Sequence, residues 1–447
     1  MTKALSLLIL SLISSRAYGL SLPEALEKAY ATNSQLKAIQ EDYVSAIQKY
    51  PETLSSEFLP SVTAISNLTS TKDKTTANIR QNSTQYQKSL EVKQNIFAGG
   101  SSAANLASVK HTIDAAKLKY LGDEQEFLLN ATITYINLII SKEKLEASKA
   151  FVSSLQKKYE AAQEKLKVGE ATQTDVAATK AEKARAQYEE ANNNAAYKTA
   201  ISSFITTFGT EPVDIKMPEI PADLPATYED FEKVAMNSSL DLRSARSSLL
   251  STKNRVTAAK GNLLPSVDIS ARANRSDRRF EDRIEKNIEQ NSYSTGISLT
   301  IPIIPNGGAE HSKVRQAKSQ LRKLVYNNEY AQKAIKTQII QHWEQYNAAK
   351  LVTEFAKAAI DAKEIELEGI RSMYNVGLKT MLDVLTTEKE FYDTVVQNIT
   401  SKEQLIKAAY TIKSDLAQLT AKNLGLNIKP FDPDSEFRKT KFKILGF

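Results

Sequence analysis

Two periodicities divide the chain. Toward its C-terminal end Leu385, Tyr392, Ile399 and Ile406 recur every seven residues, and earlier Ala177, Ala181, Ala184, Tyr188, Ala191 and Ala195 alternate at steps of four and three. Both spacings are those of a coiled-coil seam. Alanine at most positions of the first seam predicts closer packing there than at the second. Elsewhere the period is two. Val267, Ile269, Ala271 and Ala273 alternate with Ser266, Asp268, Ser270 and Arg272, while Tyr293, Thr295, Ile297, Leu299, Ile301 and Ile303 alternate with Ser294, Gly296, Ser298 and Thr300. Weaker alternation follows Pro60 at Val62 and Ala64, and runs through Leu90, Val92, Gln94 and Ile96. Alternation of this kind predicts four strands of about ten residues, the length a tilted transmembrane strand needs. Thr71 to Thr84 and Arg275 to Asn291 are polar or densely charged and read as the loops joining each pair.

Between the strands and the seams lie two unusually long helical patterns. From Ser101 to Val168 only Gly122 interrupts, and from Ala309 to Val376 only Gly369. At about 1.5 Å per residue each predicts a helix of roughly 100 Å, which suits a coiled-coil rod rather than a globule. Both patterns end at a related turn. Val168, Gly169, Thr172, Asp175, Val176, Thr179 and Glu182 match Val376, Gly377, Thr380, Asp383, Val384, Thr387 and Glu390 at a constant offset of 208. Unrelated segments of that length share roughly one identity. Leu59-Pro60-Ser61-Val62 also returns as Leu264-Pro265-Ser266-Val267, and Gly99-Gly100 as Gly307-Gly308. The chain is a tandem duplication, each copy ending in a long helix, a tight glycine turn and a returning helix.

These landmarks divide it into residues 20–211 and 226–429, joined by a linker at 212–225 that holds Pro212, Pro218, Pro221 and Pro225. Residues 1–19, with Lys3, an apolar run from Ala4 to Ile13 and small residues at Ala17 and Gly19, read as a signal peptide. Residues 430–447 form a basic tail, expected to be disordered.

Composition then excludes much. There is no cysteine, so there is neither a disulfide framework nor a lipid-acceptor thiol. Mean hydropathy of −0.37, with no later apolar run, argues against transmembrane helices. Insertion into a membrane would be as a β-barrel. The net charge of +7 arises from 59 basic and 52 acidic residues that are mostly interleaved, which speaks against a nucleic-acid footprint. Four strands cannot close a barrel, and open edges cannot face lipid. Several chains must therefore contribute to one barrel.

The paired V-G-x-x-T-x-x-D-V turns, the Gly-Gly joints after Asn95-Ile96-Phe97 and Ile301-Pro302-Ile303, and the duplication together resemble the TolC-like outer-membrane efflux and secretion channels. The resemblance implies a homotrimer in the outer membrane. Its 12-stranded barrel would continue as a long periplasmic α-helical barrel, in a mainly α fold with a membrane β-barrel. It further implies a passive exit duct for an efflux or type I secretion system, opened at its periplasmic tip by an adaptor (membrane fusion) protein and an inner-membrane transporter. By position, Asp175, Tyr374 and Lys379 would form closing links, and Asp383 a ring of carboxylates at the entrance. Like charges around an axis favour multivalent cations, which would block flow. Val168, Gly169, Val376, Gly377 and Leu378 would form the adaptor-docking turns.

The chain departs from the family pattern in two places. Lys379 stands where arginine is common and lacks its bidentate fork, and Thr386 replaces a second acidic ring. Gly169 and Gly377 also satisfy ordinary turn requirements. Asp175 and Asp383 equally suit helix caps, so cap and gate both remain open readings. Tyr374, seven residues after Leu367, fits a seam as well as a gate. No cofactor is expected and no metal site. His111, His311 and His342 are the only histidines and have no metal-binding spacing, and P-loop, dinucleotide and nucleophile-elbow motifs are absent, so an enzyme is not expected. The competing reading is a periplasmic coiled-coil structural or adaptor protein without a pore.

Overall fold

Alternating side chains and long proline-free runs give the two kinds of element they predict. The computed structural model describes residues 20–74, 80–280 and 288–446, and the signal segment expected at 1–19 lies outside them. In the first copy, helices α1 (Leu22–Thr32), α2 (Ser34–Ile47) and α3 (Lys49–Phe58) lead into strands β1 (Ser61–Lys74) and β2 (Arg80–Ala98), then helices α4 (Ser101–Lys167) and α5 (Gln173–Phe208). The second copy repeats the order with α6 (Tyr228–Ser238), α7 (Leu240–Gly261), β3 (Ser266–Phe280), β4 (Ile288–Thr300), α8 (Ala309–Asn375) and α9 (Met381–Asp415). A final helix, α10 (Pro433–Thr440), follows. Gly99, Gly100, Gly307 and Gly308 at the strand-to-helix joints all take positive φ.

Contacts group the described residues into two units. One comprises 38–122, 240–335 and 431–446 and holds the sheet, an antiparallel array in the order β1-β2-β3-β4. The strands run to 14, 19, 15 and 13 residues, longer than the segments of about ten expected. Much of what reads as polar loop is strand, because polar groups find partners across the ladder. Gln85 Nε2 donates to Ser276 Oγ at 2.8 Å, Gln87 Nε2 to Asn274 Oδ1 at 3.1 Å, and Arg275 pairs with Glu289 at 3.8 Å. The connections at 75–79 and 281–287 lie outside the described residues. β4 ends at Thr300, short of the expected Ile303, since Pro302 has no N–H for the ladder.

Register places Val62, Leu90, Val92, Val267, Ile269, Ile297 and Leu299 on one face of this sheet, and Glu91, Gln87, Arg272, Asn274 and Ser298 on the other. The apolar face is uncovered within the chain, with Ile297 75% exposed. β1 and β4 are edges.

The same unit contains α10, where a disordered tail is expected. Two features fold it. Asp432 caps the helix by accepting from the backbone N–H of Asp434 and Ser435 at 3.0 and 3.1 Å, and Arg438 and Lys439 sit in its last turn, where cations oppose the helix dipole. Phe431 and Phe437 then pack on a core of Tyr43, Ile47, Ile113 and Tyr120, while the Tyr43 hydroxyl donates to the Pro433 carbonyl at 3.0 Å.

The other unit comprises 20–37, 123–239 and 336–430. Its main core joins α1 (Leu22, Leu26, Tyr30), α4 (Leu128, Tyr135, Ile139), α5 (Phe204, Phe208) and α9 (Ile399, Ile406). The proline-rich linker is strapped along this core. Tyr135 donates to Lys216 O at 2.9 Å, and Lys413 pairs with Asp223 at 3.0 Å. A second cluster unites Phe151 and Leu155 of α4, Ala186 of α5, and Met381, Leu385 and Tyr392 of α9, with Phe151 stacked on Tyr392 at 4.5 Å.

The seam expected at Leu385, Tyr392, Ile399 and Ile406 is therefore buried. The alanine seam is not. Ala177, Ala181, Ala184, Tyr188, Ala191 and Ala195 are exposed, because α5 turns its Thr179 and Ala186 side inward. On α8, Leu351, Phe355, Ala358, Ala362 and Ile365 form a second exposed stripe, again at steps of four and three.

Substituting Phe431 with Ala is expected to lower stability by about 2 kcal/mol, less than for a fully buried ring. Chemical denaturation followed by circular dichroism measures it. An unchanged midpoint would mean that the packing of Phe431 on this core contributes nothing to stability.

Candidate functional site

The two duplicated turns are built by the same local chemistry. At the end of α4 the Gly169 N–H bonds to Leu166 O at 3.1 Å and Glu170 N–H to Lys165 O at 2.8 Å. At the end of α8 the Gly377 N–H bonds to Tyr374 O at 3.0 Å and Leu378 N–H to Met373 O at 2.9 Å. The wider bond of each pair reaches back five residues, the closure typical of a Schellman turn. It requires a left-handed residue, and Gly169 and Gly377 take φ of 80° and 78°.

The returning helices start with reciprocal caps. Thr380 Oγ1 accepts from Asp383 N–H at 3.2 Å, while Asp383 Oδ2 accepts from Thr380 N–H and its hydroxyl, both at 2.8 Å. Thr172 and Asp175 repeat this box at 3.1, 2.9 and 2.7 Å. Threonine and aspartate three residues apart are what such a box needs. The cap reading of both aspartates is thus realised in the chain. Bonds from Thr380, chiefly its backbone N–H, hold the Asp383 carboxyl below the usual aspartate range, and Lys379 adds to the effect. Loss of hydration opposes them, by more than Lys379 contributes.

Of the residues assigned to the gate, Lys379 lies 4.0 Å from Asp383. Among the described residues no ion pair joins Lys379 to Asp175. Tyr374 packs against the cluster of Phe151, Leu155 and Leu385, and the Lys165 ammonium sits 4.8 Å from its ring centroid, so it ties the end of α8 to the end of α4. The positions assigned to docking form an apolar tip. Val168, Val376 and Leu378 are 70%, 71% and 76% exposed, and Leu382 beside them is also exposed.

One charged centre escapes the motif. Glu388 of α9 is buried, with its carboxylate on Lys158 and Ser154 of α4 and 3.3 Å from Arg371 of α8. Burial pulls the Lys158 ammonium downward in pKa, Glu388 pulls it back, and Arg371 adds to the lowering. The sequence carries a signal for it. Glu388 falls three residues after Leu385 and four before Tyr392, so a carboxylate occupies a seam position. Among the described residues no group of three or more His, Cys, Asp or Glu side chains could hold a metal ion, and no helix is long and apolar enough to cross a membrane.

Residues 25–210 and 233–420 match the family described as outer membrane efflux protein, one match to each copy of the repeat. The chain is 25% identical over 436 residues to the outer membrane efflux protein BepC of Brucella suis, covering 95% of this chain and 91% of that protein. It is 24% identical over 451 residues to the outer membrane protein TolC of Escherichia coli, covering 95% and 88%. Among solved structures it resembles the Campylobacter jejuni CmeC outer membrane channel, with a TM-score of 0.75, 15% identity, and coverage of 94% of this chain and 89% of that one.

One substitution and one change of pH test the cap. Thr380→Ala is expected to loosen the start of α9 by about 1 kcal/mol, the usual value of an N-cap. Because the folded-state Asp383 pKa is depressed, its stabilising contribution is complete above the ordinary aspartate range and is lost as pH falls through the lowered value. Amide exchange at 381–385 reads both. Protection in Thr380→Ala equal to the parent, or loss of parental protection already near neutral pH, would contradict the cap.

Proposed function

The chain belongs to the outer membrane efflux protein family, and from that premise we propose that it is the outer-membrane subunit of a trimeric exit duct, working with a periplasmic adaptor and an inner-membrane transporter. One observation carries the reading. The sheet has two open edges and an uncovered apolar face whose opposite face is polar. In lipid such a sheet is stable only when other strands complete it, and four strands from each of three chains make an even-stranded antiparallel barrel. Its apolar face would meet lipid and its polar face a water-filled lumen.

The helices support the same assembly. Each chain carries an uncovered alanine stripe on α5 and an uncovered stripe of larger residues, including Phe355 and Ile365, on α8. Small holes and large knobs are the two halves of a coiled-coil contact. A contact in which one chain's α5 receives its neighbour's α8 is head-to-tail, the kind that forms a ring when the rotation between neighbours closes, as it does in a trimer.

In this duct the turns form the periplasmic end. Val168, Gly169, Val376, Gly377 and Leu378 dock the adaptor through the apolar tip. Lys379 of one chain faces Asp175 of the next, and Tyr374 braces the closed arrangement. Asp383 serves both as cap and as one member of a carboxylate ring. An aspartate is ionised at neutral pH, as a cation site at the entrance requires, and the bonds from Thr380 extend that charge to lower pH. The chain has no nucleotide-binding motif, so energy for transport comes from the partner complex.

Purified protein in planar bilayers is expected to form cation-selective channels. Asp175→Ala combined with Lys379→Ala raises the current, and Asp383→Ala removes block by multivalent cations. Parental current in the double variant would remove the clasp, and parental block in Asp383→Ala would remove the carboxylate ring. A separate arm tests the seams. Phe355→Ala with Ile365→Ala should convert trimers to monomers by sedimentation, and intact trimers would place the subunit contact elsewhere.

A further inference from the structure

The buried charge at Glu388 is the feature that caps, turns and seams leave unexplained. Its side chain is 5% exposed, and it stands between Leu385 and Tyr392 on the buried stripe of α9. An apolar residue would pack there at no electrostatic cost, whereas a carboxylate must be compensated on every side. Compensation comes from two other helices. Lys158 and Ser154, one turn apart on α4, both reach the carboxylate, and Lys158 also donates to Ser154 at 3.3 Å. Arg371 approaches from α8 at 3.3 Å.

The partners differ in their freedom. The Lys158 side chain is 18% exposed, and that of Arg371 is 46% exposed. Lys158 and Ser154 thus belong to the interior of the contact, while Arg371 joins it from the solvent side. The centre lies about a turn and a half of helix beyond Asp383, counted along α9. Lys363 of α8 adds a second bridge between the helices of that hairpin, pairing with Glu390 at 2.7 Å. The α8–α9 hairpin is therefore internally tied; Lys144 of α4 also pairs with Glu403 of α9 at 3.6 Å, and Glu388 is the charged attachment to α4 that lies nearer the turn.

We propose that Glu388 is the positioning residue that holds the α8–α9 hairpin against α4 within each chain, so that opening of the turn end requires its attachment to Lys158 and Ser154 to break. This rests on the channel reading given above. It differs from the Asp175–Lys379 clasp, which acts between chains. Burial makes such a latch strong while closed and gives it two discrete states. Separating the pair strands a charge until water reaches it, so intermediate separations are the least stable. Arg371, already half in water, is the member released first.

The chain has no cysteine, so labels can be placed at will. Exposed Lys157 on α4 and Thr386 on α9 are replaced by cysteine and spin-labelled in the full-length protein, in the parent and in Glu388→Gln, Lys158→Gln and Arg371→Gln backgrounds. With labelled chains diluted into unlabelled ones, so that each trimer carries a single labelled chain, the parent is expected to give one narrow intrachain distance. Glu388→Gln and Lys158→Gln each broaden it to longer values and raise the open fraction in bilayers about tenfold or more. The double variant goes no further than the larger single, as coupled partners require. Arg371→Gln gives a smaller effect, and Arg371→Lys restores the parent. Parental distances and parental open fraction in a folded Glu388→Gln protein overturn the latch, as does additivity of the two strong variants. A parent without conductance counts against the channel reading alone. The label distances then decide the latch, widening supporting it and constancy overturning it.

Discussion

A backbone that enters hydrocarbon must satisfy every N–H and C=O within protein, and an open sheet cannot do so. The four strands of this chain pair in the order β1-β2-β3-β4 and leave two edges without partners. The copies of the repeat thus pair through β2 and β3 inside one chain and leave β1 and β4 for neighbours. Closure by further chains then fixes the rest of the design. A ring of subunits needs complementary flanks, and in the proposed duct the exposed stripes on α5 and α8 are the small and the large one.

Duplication makes this economical and also makes room for function. Both turns close through a left-handed glycine and both returning helices begin with a threonine-aspartate box. That shared scaffold leaves neighbouring positions free to diverge. The second copy has Tyr374, Lys379 and buried Glu388, whereas Val168-Gly169-Glu170 carries a charge where Val376-Gly377-Leu378 keeps an apolar side chain. In the proposed duct Asp383 joins two roles, because the bonds that cap α9 also lower the pKa of a carboxylate assigned to the entrance. A residue can be structural within its chain and electrostatic within the assembly.

How far the sequence reveals this depends on the range of the interactions involved. Local signals read well. The long helices begin at Ser101 and Ala309 as the glycine pairs predict, and the seam of Leu385, Tyr392, Ile399 and Ile406 is buried. Non-local pairing reads poorly. Arg275, Ser276 and Glu289 look like loop residues until Arg275 and Glu289 face each other across one ladder and Gln85 meets Ser276 across another. The tail looks disordered by charge alone, yet Phe431 and Phe437 have a core waiting in Tyr43 and Tyr120. The alanine stripe of α5 has coiled-coil spacing, but spacing does not say whether the partner helix belongs to the same chain. Glu388 was marked only by its place on an apolar seam, and its partners Lys158 and Arg371 are 230 and 17 residues away in sequence.

The central claim is that the sheet edges are completed by other copies of the chain. Single cysteines introduced along β1 and β4 of this cysteine-free protein, then oxidised in outer membranes, test it most directly. Pairs in register should yield covalently closed trimers between β1 of one chain and β4 of the next. Cross-links confined within single chains, or none at any register, would contradict the barrel and the assembly built on it.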